Sequence, residues 1–303
     1  MKLAFHTLDV FTRHRFGGNP LAVILEADGL SSQDMQSIAR EFNLSETVFV
    51  LEPHDLVNTA RMRIFTPVTE LPFAGHPIVG TAVLIGQLRA RDMIRSQDVG
   101  IVLETASGPI TCSVRHARNQ PARARFEMLQ APMPAGEPAA SHHLSQALGL
   151  PPEAIGFGNH APTVYSAGLQ LTFVPVRDAA ALRAISPQSP YWQEAFGSTQ
   201  VQAAFAYTKM PENSPDGFAA RMFFPAPDLR EDPATGSAAA AFAGVIMQFE
   251  PRGDGAHHIT IEQGVDMGRA SQIFLGLEVE NGELTGASIA GEVIEVMQGM
   301  IEV

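Results

Sequence analysis

Two places in this chain carry residues suited to holding a developing negative charge. Glu70-Leu71-Pro72-Phe73-Ala74-Gly75 and Glu231-Asp232-Pro233-Ala234-Thr235-Gly236 share the phrase Glu-x-Pro-x-x-Gly. Each leads into an apolar run of helical length, so each Gly marks a helix start. The first N–H groups of a helix have no internal partner and attract anions. A carboxylate or enolate held by such donors is stabilised as its charge develops. Polar side chains cluster at the same two places: His76 follows Gly75, while Asp232 and Ser237 bracket Gly236. Each has a plain reading as well, as a core or capping histidine and as an aspartate beside proline at a helix entry. By residue type alone, Ser237, His76 and Asp232 also suit a hydrolytic triad, although nothing here resembles the strained elbow that exposes a catalytic serine.

The elements that must position these residues occur twice. An Arg-apolar-Phe-x-Pro segment precedes each phrase: Arg63-Ile64-Phe65-Thr66-Pro67 and Arg221-Met222-Phe223-Phe224-Pro225. The helical runs after them, from His76 to Ile85 and from Ala238 to Met247, have no polar face. A helix apolar all round is buried all round. Each half is therefore expected to wrap curved, mostly antiparallel strands around one central helix, whose Ala and Gly residues admit close approach. A helix buried between the layers of a βαβ fold is the alternative. A pseudo-twofold between the halves would let both helix starts face one ligand.

Strands are expected at Leu3–Val10, Leu21–Leu25, Arg61–Phe65, Ile101–Thr105 and Ile110–Val114 in the first half, with another after Glu46. Ser31 and Asp34 form a capping box for an amphipathic helix whose apolar face is Met35, Ile38, Ala39 and Phe42. The proline-rich stretch from Ala131 to Pro138 suits neither helix nor central strand, and places a domain boundary between 1–130 and 131–303. The final strand is expected to be able to return to the first domain.

Composition excludes several classes. A net charge of −12 argues against a nucleic-acid-binding face. The lone Cys112 forms no internal disulfide and no cysteine-zinc cluster, and reads as a core strand residue. The adjacent pairs His142-His143 and His257-His258 diverge on any regular element and make poor metal chelates. There is no dinucleotide fingerprint, Walker loop or membrane-length apolar run. Without a secretory h-region, the cytoplasm is the expected compartment.

Three segments taken together resemble the PhzF family of phenazine biosynthesis enzymes. They are Asn43-Leu44-Ser45-Glu46-Thr47, Gly75-His76-Pro77, and the run from Glu231 to Ala238; Phe16-Gly17-Gly18-Asn19-Pro20 fits the same family's opening. The resemblance implies an α+β fold of two pseudosymmetric, diaminopimelate epimerase-like domains, each a strand wrap around a central buried helix. It implies a cofactor-independent isomerase that shifts a proton and a double bond in a small carboxylate-bearing, cyclic amino acid-like substrate. The family's named reaction converts trans-2,3-dihydro-3-hydroxyanthranilate to an aminoketone. Glu46 matches the family's acid/base, Asp232 its second acidic residue and His76 a pocket-lining residue; Gly75, Gly236, Ser237 and Asn19 are implied in substrate binding. Glu46 would otherwise read as a solvated acid at a strand edge, and Glu41 and Glu52 fall outside the motif. Glu231 is expected to serve the loop. No metal, nucleic acid or membrane partner is implied, and family members are commonly homodimers. A non-catalytic small-molecule binder is a third reading.

Overall fold

A computed structural model of the protein describes residues 1–128, 130–211, 214–225 and 230–303. It divides into two compact units, Met1–Glu127 with Ala290–Val303, and Met128–Ile289. The break falls after Glu127 rather than at 130/131, and the final strand, which the sequence allowed to return, lies in the first unit. The reason is strand pairing, because residues 293–302 of the last strand run antiparallel to the first strand, Lys2 opposite Glu302 and Val10 opposite Val293.

The first unit contains β1 (Lys2–Val10), β2 (Asn19–Ile24), α1 (Ser32–Phe42), β3 (Glu46–Leu51), β4 (Ala60–Phe65), β5 (Glu70–Leu71), α2 (Gly75–Arg89), α3 (Arg91–Ser96), β6 (Val99–Thr105), β7 (Gly108–Arg115) and β8 (Ala122–Glu127). The second contains β9 (Met133–Pro134), α4 (Ser141–Leu148), β10 (Thr163–Ser166), β11 (Gln170–Pro175), α5 (Ala179–Ala184), α6 (Ser189–Phe196), β12 (Ala204–Lys209), β13 (Gly217–Phe224), β14 (Arg230–Asp232), α7 (Gly236–Phe249), β15 (Gly255–Gln263) and β16 (Ser271–Glu280). The long β17 (Glu283–Glu302) follows. The expected capping box is present, with Ser31 accepting from the Asp34 N–H and Asp34 accepting from that of Ser31. Within the proline-rich stretch β9 makes a two-residue pairing with Tyr165 and Ser166 of β10.

Each unit wraps its strands around one buried helix. In α2 every residue from Gly75 to Gly86 is buried, and in α7 the same holds from Gly236 to Ile246 except Ser237. Close approach depends on one glycine in each helix. A Cβ on Gly80 would lie 2.6 Å from a Leu21 methyl, and one on Gly244 would lie 2.4 Å from the Tyr165 ring.

The units share a strand plan. β2 and β3 are parallel, as are β11 and β12. β3 pairs antiparallel with β4, as β12 does with β13. β4 and β6 are parallel, as are β13 and β15. The repeated phrases fall in one register, with Phe65 opposite Glu70 and Phe223 opposite Glu231. Positions on these paired strands and in the repeated phrases can therefore be assigned counterparts in the other unit.

Candidate active site

The repeated Arg and Glu residues build the same fork twice. In the first unit Arg63 donates from Nε and Nη2 to the two Glu70 oxygens at 2.7 and 2.6 Å. In the second, Arg221 donates likewise to Glu231 at 2.9 and 2.7 Å. Side chains two apart on a strand share a face, so each guanidinium also lies over the Phe two residues on, Arg63 over Phe65 and Arg221 over Phe223. Glu231 thus anchors its loop, as expected. These forks pin the short strands β5 and β14, which deliver the chain to the helix starts.

The α2 start carries an acid–imidazole pair. Glu46 opens β3, opposite Leu21 of β2. Its carboxyl oxygen Oε2 lies 3.2 Å from His76 Nε2, with side-chain exposures of 15% for Glu46 and 5% for His76. Burial pushes the His76 imidazole down to a pKa of about 3, because the cation would lose its hydration. The imidazole is therefore neutral at ordinary pH. The two groups lie within reach of one another, although Oε2 and Nε2 are not aligned as a hydrogen bond. Such a pair suits a general acid–base that must both accept and release a proton. Glu41 and Glu52 are both exposed.

The α7 start carries a different set. The Thr235 hydroxyl donates to Asp232 Oδ2 at 2.5 Å. Gln263, fully buried at the end of β15, donates from Nε2 to the Asp232 carbonyl at 2.7 Å and to Thr235 Oγ1 at 3.1 Å. Its Oε1 accepts from the Thr235 N–H at 3.2 Å. Thr235 is by type a good N-cap, yet its side chain makes no capping bond, and Ala74 at the α2 start has no side-chain oxygen to cap with. Gly75 and Gly236 are buried at the first helical positions, and Ser237 is half-buried beside Gly236. Asn19 is fully buried at the head of β2, opposite Val10.

Within its own unit His76 Nε2 faces Glu46, and within the other Asp232 Oδ2 accepts from Thr235. Cys112 is buried on β7, where burial pushes its thiol up to about 12. A thiol of that kind is not a proton carrier at neutral pH. No group of three or more His, Cys, Asp or Glu side chains suited to a metal occurs among the described residues.

Residue types at the two helix starts had pointed to His76, Asp232, Gly75, Gly236 and Ser237, and the family resemblance to Glu46 and Asn19. Thr235 and Gln263 had not been singled out. An aspartate followed three residues later by threonine at a helix entry is a turn signal that could have revealed Thr235. Gln263 gave no local signal, since only the parallel pairing of β13 with β15 carries it to the turn.

Known proteins resemble the whole chain. Residues 8–299 match the family described as phenazine biosynthesis-like protein. An "uncharacterized isomerase" of Mesorhizobium japonicum is 44% identical, over 97% of this chain and 96% of its own length. The trans-2,3-dihydro-3-hydroxyanthranilate isomerase of Pseudomonas chlororaphis is 33% identical over 97% of both chains. The fold matches the crystal structure of a PhzF-family phenazine biosynthesis protein of Bacillus anthracis, with a TM-score of 0.86, 24% identity and complete coverage of both chains.

Proposed function

Since the chain belongs to the phenazine biosynthesis-like family and is an isomerase, we propose that it moves a proton between two carbons of one substrate through the single carboxyl group of Glu46. The observation that carries this reading is the Glu46–His76 pair together with its missing counterpart. Thr47 faces Phe65 in the first unit as Ala204 faces Phe223 in the second, so the counterpart of Glu46 is Ala203. The repeated phrase makes Ser237 the counterpart of His76. A two-base racemase needs a proton carrier from each half; here one half supplies the acid and the other an alanine.

The step balances within the substrate. The C–H bond alpha to an unsaturated system breaks, its proton passes to the Glu46 carboxylate, and the electron pair enters the conjugated system. The new O–H then breaks as its proton is delivered to a second carbon, and the double bond shifts. His76, neutral and buried, steadies the carboxyl group and can share its proton. The uncapped N–H groups at Gly75 and Gly236 suit the substrate carboxylate and the charge that develops. Asp232 hydrogen-bonds the substrate's amino or hydroxyl group. The proposed substrate class is a small cyclic carboxylate with such a group, trans-2,3-dihydro-3-hydroxyanthranilate being the first to try. The reaction needs no cofactor, because acid, base and anion donors all come from the chain.

Incubation with that compound in deuterium oxide, followed by NMR, tests the reading. Conversion with one deuterium at the carbon that gains the proton is expected. A double-bond shift without solvent deuterium in either product or recovered substrate, and with no transfer of a substrate label, would contradict proton carriage by a carboxyl group. No conversion of this compound or of related cyclic amino acids would remove the substrate class.

A further inference from the structure

The two units fold the same turn with different side chains, and the difference isolates a residue set that the fold itself does not need. In the shared register Leu71 faces Ile64 as Asp232 faces Met222, so Asp232 replaces a leucine. Thr235 stands where the first unit has Ala74. The parallel pairs extend the match: Arg61 faces Glu104 as Ala219 faces Glu262, which makes Thr105 the counterpart of Gln263. Thr105 turns its hydroxyl into its own hairpin, donating to the Gly108 carbonyl at 2.8 Å. The first unit's turn receives one exposed contact from that hairpin, Ser107 Oγ to the Pro72 carbonyl at 3.3 Å. That turn still delivers the chain to a buried helix. A leucine, an alanine and a threonine facing away therefore suffice for the architecture.

We infer that Gln263 and Thr235 are positioning residues that act through Asp232, fixing the direction of its carboxyl group toward the substrate. The inference rests on the proposed role of Asp232. Gln263 Nε2 donates to Thr235 Oγ1, so that oxygen is engaged as an acceptor and its own proton is directed elsewhere. It goes to Asp232 Oδ2, at 2.5 Å. The same amide nitrogen holds the Asp232 carbonyl, and its Oε1 holds the Thr235 N–H. One fully buried amide thus ties both the backbone and the carboxylate-binding hydroxyl of the turn. The next residue makes the approach possible: Gly264 has φ +72°, and a Cβ there would lie 2.6 Å from the Pro233 carbonyl oxygen. A buried three-bond amide is costly to leave unsatisfied, so its presence only in the unit with the acid points to service of the acid.

Thr235→Val, Thr235→Ser and Gln263→Leu, each also combined with Asp232→Asn, test this in the full chain. Turnover of trans-2,3-dihydro-3-hydroxyanthranilate, or of whichever cyclic amino acid the wild type isomerises in deuterium oxide, is the kinetic readout. Thr235→Val is expected to lower kcat about tenfold at nearly unchanged melting temperature, and Thr235→Ser to restore it. In the Asp232→Asn background neither Thr235→Val nor Gln263→Leu should lower the rate further, because they act through a group already removed. Losses that simply add, or a full rate in Thr235→Val while Asp232→Asn is impaired, would overturn the positioning role alone. A full rate in Asp232→Asn would overturn the role of Asp232 and this inference with it. Amide hydrogen exchange gives an arm independent of substrate. Gln263→Leu should speed exchange at residues 232–237 more than tenfold while the rest of α7 stays protected, and unchanged exchange there would overturn the inference.

Discussion

At the start of α2 stand His76 and, across from it, Glu46; at the matching places before and within α7 stand Ala203 and Ser237. At the turn the pattern reverses, with Leu71 and Ala74 in the first unit and Asp232 and Thr235 in the second. Two copies of one scaffold have kept the same Arg–Glu fork, the same strand register and the same buried helix. They differ where a side chain meets the helix entrance. A repeat that binds identically twice suits a symmetric reaction, in which each half offers one base. A repeat with its polar groups divided is what the proposed single-acid reaction would call for.

The forks offer the largest test of what is shared. Arg221 and Glu231 have side-chain exposures of 12% and 14%, against 26% and 39% for Arg63 and Glu70. Arg221 also donates from Nη1 to the carbonyls of Leu182 and Ile185, both at 3.1 Å, tying down the end of α5. Arg221→Met should therefore destabilise the protein by about 3 kcal/mol in urea unfolding, since a buried carboxylate is left unpaired. Arg63→Met, at the exposed copy, should cost roughly 0–1 kcal/mol. Equal costs would show that the forks do not differ in the way their burial implies.

The central glycines should separate next. Gly244→Ala presses a methyl into the Tyr165 ring, whose hydroxyl is tied to Gln248 at 2.9 Å, and should cost about 1–3 kcal/mol. Gly80→Ala meets methyl groups of Leu21 at 2.6 Å and Val10 at 2.9 Å, side-chain ends rather than a tethered ring, and alanine favours the helix by ~0.5–1 kcal/mol. It should lower the melting temperature less than Gly244→Ala does.

Acid should expose the first unit's histidine. Folded His76 takes a proton only near a pKa of about 3, while the unfolded chain does so at the ordinary value of 6.5. Between those values the unfolded state binds more protons, so this contribution to stability is complete above about pH 6.5 and is lost as pH falls toward 3. Its slope is at most ~1.4 kcal/mol per pH unit. His76→Gln should flatten that part of the stability profile, whereas Ser237→Ala, at the matching place, should leave it unaltered.

Much of this was legible in the sequence because it repeats. The doubled phrase marked both helix starts, and the absence of any polar face marked both helices as buried. Motif residues near a helix start, Gly75, His76, Asp232 and Ser237, were visible because glycine, proline and a polar side chain occur together there. Elements without a clear apolar period were missed: α3, α6, β8 and β12, the last being an Ala-Phe-Ala-Tyr run buried on both faces. Gln263 was invisible for another reason. Its importance comes from strand pairing across a distance in sequence, and an isolated glutamine in a strand carries no chemical signature. The return of the final strand had been allowed for, but its partner, β1, and the extent of the returning segment, 290–303, come only from the pairing.

The division of labour between the units is tested most directly by the single-turnover rate of Glu46→Gln, measured beside its far-ultraviolet circular dichroism and melting temperature. Glutamine keeps the shape and lacks the exchangeable acid, so a fold like the wild type's with a rate reduced ~10²–10⁴-fold is expected. A rate within about twofold of the wild type would contradict the assignment of the proton to this carboxyl group.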